Sequence, residues 1–149
     1  MSGSGWTAAT AATTGNSNPR TGTYYARHGG VAAGVAIRQQ FDLLASGFTE
    51  GEIDTGTLTL NFSAWIGGED GVNDGGRLRV NYLDASLTLI DSTETANSIP
   101  PAGTYVQDSI NENIPATTRH LQLDLILRGN AGGSTLPFAD NCEASITYP

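Results

Sequence analysis

The side chains best suited to binding a ligand are predicted to face outward on three separate strands. Trp65 and Asn61 alternate along the first strand, Arg77 and Arg79 share a face of the next, and Asp124 faces outward on a later one. If the strands share one sheet, polar groups surround a planar aromatic ring. Proteins bind sugars in this way, because the ring stacks on the sugar while polar groups pair with its hydroxyls. We therefore predict a glycan site here; the alternatives are a solvated sheet face and a contact with another subunit.

Nucleophilic catalysis is not indicated by the histidines or the cysteine. His28 and His120 lie far apart in the sequence and neither belongs to a metal-binding spacing. Cys142 falls at an inward position of a predicted strand, where a small buried apolar side chain is the ordinary explanation. No glycine-rich phosphate loop precedes a helix. These observations predict a protein that is not an enzyme.

Two acidic segments are candidates for chemical sites. Glu50, Glu52 and Asp54 are close in sequence, but glycosidic carboxylates must face one another across a cleft, and a solvated start of a strand explains them better. Residues 67–76 are rich in glycine and acidic side chains, as calcium loops are. Val72 interrupts the alternating ligand spacing, so a long polar hairpin loop is the favoured interpretation.

Composition and charge exclude several function classes. Charged residues make up 15% of the 149 residues, all seven basic residues are arginine, and the formal net charge is −8. Such a chain repels the phosphates of nucleic acids and lacks a polybasic membrane contact, so we expect neither partner. The single cysteine excludes an internal disulfide framework. Residues 1–6 lack the basic and apolar regions of a signal peptide, which predicts synthesis in a host cytoplasm without export or membrane insertion.

Apolar residues alternate with polar ones along several segments, which is typical of antiparallel strands with one solvated face. The inward positions are predicted to be Val35, Ile37, Gln39, Phe41, Leu43, Leu58, Leu60, Phe62, Ala64, Leu78, Val80, Tyr82, Leu121, Leu123, Leu125, Leu127, Cys142, Ala144, Ile146 and Tyr148. Leu87 and Leu89 continue this pattern after a predicted hairpin turn at Asp84–Ser86. No segment shows sustained helical spacing.

The pattern predicts an all-β fold, an antiparallel two-sheet β-sandwich or jelly roll of about eight strands with minimal helix. Residues 20–149 form its single domain. Residues 1–19 are low in complexity and are expected to be an N-terminal arm, or a first strand anchored by Trp6.

The chain resembles a family of carbohydrate-binding-module-like jelly rolls, the galactose-binding-like sandwiches of bacterial surface and phage virion proteins. The resemblance extends from Trp6 to the C-terminus. The matching segments are Gly5-Trp6, Pro19–Gly22 followed by Tyr24-Tyr25, Phe62–Gly68, Arg77–Ala85, Ile114–Arg119 and Phe138–Asn141.

This resemblance implies that Asp140, before the last strand, helps to hold a structural calcium ion; the alternative is that Asp140 caps a turn through backbone hydrogen bonds. It also implies a non-catalytic protein of the virion surface, a capsid decoration or tail fibre module. Such a module would contact capsid or other virion proteins, self-associate as a trimer, and touch cell-surface glycans. Residues 1–19 are the expected grip on the capsid. The alternative is a free-standing carbohydrate-binding module for a polysaccharide.

Overall fold

Strands account for most of the described residues. The computed structural model describes residues 7–8, 12–15, 25–28, 34–69, 74–129 and 136–149. Trp6, Pro19–Gly22 and Tyr24 therefore lie outside the described residues. The elements are β1 Thr7–Ala8, β2 Ala12–Gly15, β3 Tyr25–His28, β4 Val35–Asp42, α1 Glu50–Asp54, β5 Thr59–Gly68, β6 Gly75–Leu83, β7 Leu89–Glu94, β8 Tyr105–Asn113, β9 His120–Arg128 and β10 Pro137–Thr147.

The strands form two five-stranded antiparallel sheets. The first sheet has the order β1-β4-β9-β6-β7 and the second β2-β3-β10-β5-β8. This arrangement confirms the predicted all-β two-sheet sandwich with minimal helix. Within the described residues, the one helix spans only five residues and cannot cross a membrane.

The core lies between the sheets and is built from the alternation seen in the sequence. On β9, Leu121, Leu123 and Leu127 are completely buried, and Leu125 is 2% exposed. Leu60 and Phe62 on β5 are completely buried as well. Each such side chain contributes about 1.5–3 kcal/mol by leaving water. The side chains of the two inward faces therefore hold the sheets together. The side chains of the outward faces are not needed for this packing.

Helix α1 corrects the interpretation of the acidic segment near residue 50. Thr49 caps the helix: its hydroxyl accepts from the Glu52 N–H, and the Glu52 carboxylate accepts from the Thr49 N–H. At the other end, Asp54 accepts hydrogen bonds from Arg119 at 3.0 and 3.2 Å and from the Thr117 N–H at 3.0 Å. These bonds lower the pKa of Asp54. The carboxylates thus cap and anchor a helix and do not begin a strand.

The segment between Gly68 and Gly75 also differs from expectation. The expected hairpin loop is wrong, because β5 and β6 belong to different sheets and do not pair with each other; residues 70–73 lie outside the described residues. Asp74 is completely buried there, and its carboxylate accepts from the Glu69 N–H at 3.3 Å. Gly75 is required by packing, because a Cβ atom would collide with the carbonyl oxygen of Ser98.

The hairpin between β6 and β7 is present, but its leucines point into solvent. Asp84 organises the turn by accepting hydrogen bonds from the backbone N–H groups of Ser86 and Thr88. Leu87 has a φ of 62° and is 53% exposed, and Leu89 is 57% exposed. The prediction that Leu87 and Leu89 continue the inward pattern is therefore wrong. Leu87 belongs to the turn and points into solvent, and Leu89 lies on an edge strand that is exposed on both faces.

A polar clasp joins the two sheets at the edge formed by β7 and β8. Glu112 on β8 accepts from the hydroxyls of Tyr82, at 2.6 Å, and Thr93, at 3.0 Å. Asp108, also on β8, accepts from the hydroxyls of Thr95 and Ser98 at 2.9 and 2.7 Å. Burial and the hydrogen bond to Glu112 raise the pKa of Tyr82. Side-chain hydrogen bonds thus close this edge of the sandwich.

Core packing is tested by one leucine pair. Leu123→Ala removes a completely buried side chain from β9 and should lower the free energy of unfolding by about 2–5 kcal/mol. Leu89→Ala, the matched control on exposed β7, should change it by less than about 0.5 kcal/mol. Urea denaturation followed by fluorescence measures both. Equal effects would contradict the description of the core.

Candidate functional site

The five residues predicted to bind a glycan do not form one site. Trp65 and Asn61 lie on β5 in the second sheet, whereas Arg77 and Arg79 on β6 and Asp124 on β9 belong to the first. The outward faces of two stacked sheets point in opposite directions. The premise that these strands share a sheet is therefore wrong. Any contact that these residues make with a glycan remains a prediction, on two separate faces.

The outward face around Trp65 is rich in amides and hydroxyls. Trp65 lies in register with Gln107 on β8 and Asp140 on β10. The Asn111 side chain donates to the Asn61 side chain, and the Thr59 hydroxyl donates to Asn113 at 3.2 Å. The Trp65 side chain is half-buried and has interaction partners. Several polar groups on this face are thus already engaged within the protein.

A row of alternating charges crosses the outward face of the first sheet. Arg38 on β4, Asp124 on β9, Arg79 on β6 and Glu94 on β7 are successive partners in register. Arg38 donates to both oxygens of Asp124, at 2.7 and 3.1 Å. Arg79 donates twice to Asp124 Oδ2, at 3.1 and 2.7 Å. The carboxylate therefore fixes two guanidinium groups at the centre of the sheet.

Asp124 remains ionised although its side chain is completely buried. Burial raises the pKa of Asp124, but the hydrogen bonds and positive charges of Arg38 and Arg79 outweigh it and hold the pKa below its usual value. Both arginine side chains are partly exposed, at 45% and 32%. At the centre of this row the exposed side chains are therefore the two arginines, which Asp124 positions from beneath, and Glu94 is exposed at its β7 end.

A groove of about 360 Å³ lies beside this row. Its lining residues come from β4, β9, β6 and the position before β4: Gly34, Ala36, Arg77, Arg79, Ile126 and Arg128. Gly34 and Ala36 are small, so Ile126 is the largest apolar side chain of the lining. A Cβ atom at Gly34 would lie 2.9 Å from the Ile126 Cγ2 atom, which shows how closely β4 approaches β9 at this end.

A second polar row crosses the same face about two residues along each strand. Gln40, Gln122, Asn81 and Ser92 are successive register partners, and the Ser92 hydroxyl donates to the Asn81 side chain at 2.8 Å. Strand rise places Gln40 roughly 13 Å from Ala36. The face can therefore offer guanidinium groups at the groove and amides further along one continuous surface.

Several residues of this face were missed from the sequence alone. Arg38 and Arg128 are two of them: the pairing of β4 with β9 and of β9 with β6 brings them onto one face with Arg77 and Arg79. Nothing in the sequence marks Gly34 and Ala36 as groove residues, because they contribute to the groove only by being small. The pairing order of strands was the missing information.

The two histidines and the cysteine lie on three different strands. His120 begins β9 in the first sheet, while His28 and Cys142 lie on β3 and β10 in the second. Cys142 is partly buried, and burial together with the Glu143 charge raises its pKa to about 12. It is therefore a neutral thiol at pH 7, which is a poor nucleophile.

Asp140 lies at a β-bulge of β10. The register with β5 shifts between Asp140 and Glu143, Asn141 has a φ of 46°, and the Asp140 carboxylate accepts from the Asn141 N–H at 2.7 Å. This bond fits the turn-capping alternative. No group of three acidic, histidine or cysteine side chains suited to a metal occurs among the described residues. The resemblance implies further calcium ligands from backbone carbonyls of the N-terminal turn. The turn at residues 19–22 lies outside the described residues, so calcium at Asp140 stays a prediction.

Asp124 offers a test of the charged row. Asp124→Asn should lower the free energy of unfolding at pH 7 by about 1–3 kcal/mol, because two guanidinium groups lose their partner but remain partly hydrated. The wild-type contribution is present above the unfolded pKa, about 3.9, and is lost as pH falls through the lower folded value. Urea midpoints of the two proteins should therefore converge as the pH falls below about 4. Glu94→Gln, which alters an exposed ion pair, is the control with little effect; a constant gap between wild type and Asp124→Asn would contradict the assignment.

Comparisons with known proteins bear on the fold. No family model matches the chain, and no curated protein matches it. Among solved structures, the CBM22-1 xylan-binding domain of Paenibacillus barcinonensis Xyn10C matches with a TM-score of 0.64 at 13% identity, over 97% of this chain and 87% of that one. TmCBM61 in complex with β-1,4-galactotriose matches with a TM-score of 0.58 at 14% identity, over 98% and 90%.

A bacteriophage structure shares the same fold. The enzymatically active domain of bacteriophage CBA120 tailspike protein 4 matches with a TM-score of 0.64 at 15% identity, over 97% of this chain. This chain spans only 20% of that tailspike chain. At these identities the likeness concerns the fold: the chain has a jelly roll like those of carbohydrate-binding modules.

Proposed function

We propose that the chain is a non-catalytic carbohydrate-binding module that binds a glycan on the outward face of its first sheet. The observation that carries this proposal is the groove of Gly34, Ala36, Arg77, Arg79, Ile126 and Arg128, which lies on the same sheet face as the polar row of Gln40, Gln122, Asn81 and Ser92. Concave sites that combine an apolar surface with a few fixed polar groups are typical of small-ligand binding. Sugar hydroxyls would pair with the guanidinium and amide groups.

The fold likeness supports this proposal. Two of the similar structures are named for binding xylan and β-1,4-galactotriose. The fold alone does not determine a ligand, because one scaffold hosts many sites. The groove therefore carries the proposed binding, and the likeness adds that two proteins with this fold are named for a carbohydrate.

The arrangement of carboxylates supports a non-catalytic role. Glycoside hydrolysis requires two carboxyl groups about 5–10 Å apart across the scissile bond. The described lining of the groove contains none. Asp124, beside the groove, is completely buried and committed to two arginines. Binding without turnover is the chemistry that these residues can perform.

Filling the groove tests the proposal. Ala36→Tyr places a bulky side chain on its surface without removing a charge, and should reduce binding to a responsive polysaccharide by at least about tenfold. Affinity electrophoresis over a panel of neutral and acidic polysaccharides measures retention. Ser109→Tyr, on the outward face of β8 in the other sheet, is the matched control and should bind like the wild type.

Two results would count against this site. If no polysaccharide retards the wild type, carbohydrate binding itself is wrong. If Trp65→Ala abolishes retention while Ala36→Tyr preserves it, the glycan binds the opposite face, where Trp65 lies.

A place on the surface of a phage particle is the second candidate function, and a free-standing module remains its alternative. The tailspike likeness favours it, together with the sequence resemblance to phage virion jelly rolls. In this proposal residues 1–19 grip capsid or other virion proteins and the module associates as a trimer. The segment contains β1 and β2, which pair with β4 and β3.

Particle composition distinguishes the two settings. Mass spectrometry of gradient-purified particles from a phage carrying this gene should detect the chain in stoichiometric amounts, and deletion of residues 1–19 should remove it from particles. Ala36→Tyr, as a matched variant, should be incorporated normally. Detection of the chain only in the particle-free lysate would contradict the virion role.

A further inference from the structure

We propose that the groove selects acidic sugars, with the carboxylate of a uronic acid residue bound by Arg77, Arg79 and Arg128. This inference rests on the proposed function and names the ligand class of the same site. The juxtaposition that carries it is three guanidinium groups around one small groove, in a chain whose net charge is −8.

The distribution of charge is the first step. Four of the seven arginines, Arg38, Arg77, Arg79 and Arg128, face outward on the first sheet. Within the described ranges, no acidic side chain lines the groove itself. Of the nearby carboxylates, Asp124 is neutralised between two arginines and Glu94 lies 3.3 Å from Arg77. The groove is therefore a positive site on an acidic protein, and it attracts an anion locally.

The hydrogen-bond donors are the second step. Arg79 uses its Nε and Nη2 atoms on Asp124, and Arg77 uses Nε on Glu94 and Nη1 on Asn97. This leaves Arg79 Nη1 and Arg77 Nη2 with no hydrogen bond to the described part of the chain. Arg128 is exposed and makes no ion pair with any described residue. Donors from three side chains are thus available while two of the guanidinium groups are already held in place, which limits the entropy lost on binding.

The shape of the ligand is the third step. Planar guanidinium groups bind carboxylates through paired N–H donors, and these charge-assisted bonds are stronger than neutral ones. The half-buried Ala36 and the arginine stems offer apolar surface for the C–H face of a sugar ring, beside Ile126, which is only 5% exposed. The amide row of Gln40, Gln122, Asn81 and Ser92 continues the surface toward neighbouring hydroxyls. A carboxylate carried on a sugar uses the guanidinium groups, the apolar surface and the polar row, whereas a free anion uses only the guanidinium groups.

The experiment compares ligands that differ only in charge. Isothermal titration calorimetry of the full chain is carried out with oligogalacturonate and with the same oligosaccharide as its methyl ester. The acidic form should bind at least about tenfold more tightly, since a charged hydrogen bond is worth about 1.5–3 kcal/mol. Raising the salt from about 0.1 M to about 1 M, which shortens the Debye length from ~10 to ~3 Å, should weaken only the acidic form.

Variants locate the effect in the groove. Arg128→Gln should weaken oligogalacturonate about tenfold, and Arg128→Lys should lose less because the charge remains while the paired donors do not. Ser109→Asp, on the opposite face, makes the net charge more negative by the same amount and should bind like the wild type. Thermal melting of each variant confirms that it is folded.

The outcomes separate this inference from the proposed function. Tighter binding of the acid than of the ester, lost in Arg128→Gln, supports it. Equal binding of acid and ester overturns the inference but leaves carbohydrate binding intact. If neither form binds, the inference is overturned, and if no polysaccharide of the panel retards the wild type either, carbohydrate binding is overturned as well. Equal or tighter binding of a sulfated dextran or of acetate also overturns it, because the groove would then recognise negative charge and not a uronate.

Discussion

The ion cluster of Arg38, Asp124 and Arg79 is the interaction on which the outward face of the first sheet depends. A carboxylate completely removed from water is tolerated only because two guanidinium groups supply four hydrogen bonds to it. Those bonds cross from β4 to β9 and from β9 to β6, and so they link three neighbouring strands at one level. They also orient Arg79 toward the groove. One buried charge thereby serves both the sheet and its surface.

The remaining architecture separates two tasks between the faces of each sheet. Inward leucines and aromatic side chains stabilise the fold by their burial, and side chains at the outward positions do not take part in that core. At the β7–β8 edge the division is broken, because carboxylates of β8 reach hydroxyls of the other sheet. Edge strands expose unpaired backbone groups. The polar clasp joins two edge strands, β7 of the first sheet and β8 of the second.

Alternation in the sequence was sufficient to predict the sandwich and most of its core, because period-two burial depends only on neighbours along the strand. It was insufficient for the site, because register and strand order depend on the whole chain: Trp65 and Arg79 are outward on different sheets. Strand β8 was missed since its side chains are mostly polar. Helix α1 was missed although Thr49 and Glu52 have the spacing of a capping box, a signal that was available. The solvent-facing orientation of Leu87 could not be predicted, because it depends on a positive φ that a leucine seldom adopts.

The cationic lining of the groove is made of arginine throughout, and this has a practical consequence. Guanidinium groups keep their charge up to about pH 12, so alkaline conditions that would neutralise an amine leave the surface cationic. Reagents that target amines find no lysine anywhere in the chain. Coupling through the α-amino group would consequently attach the protein to a bead or a dye at a single position, with every groove side chain chemically unaltered.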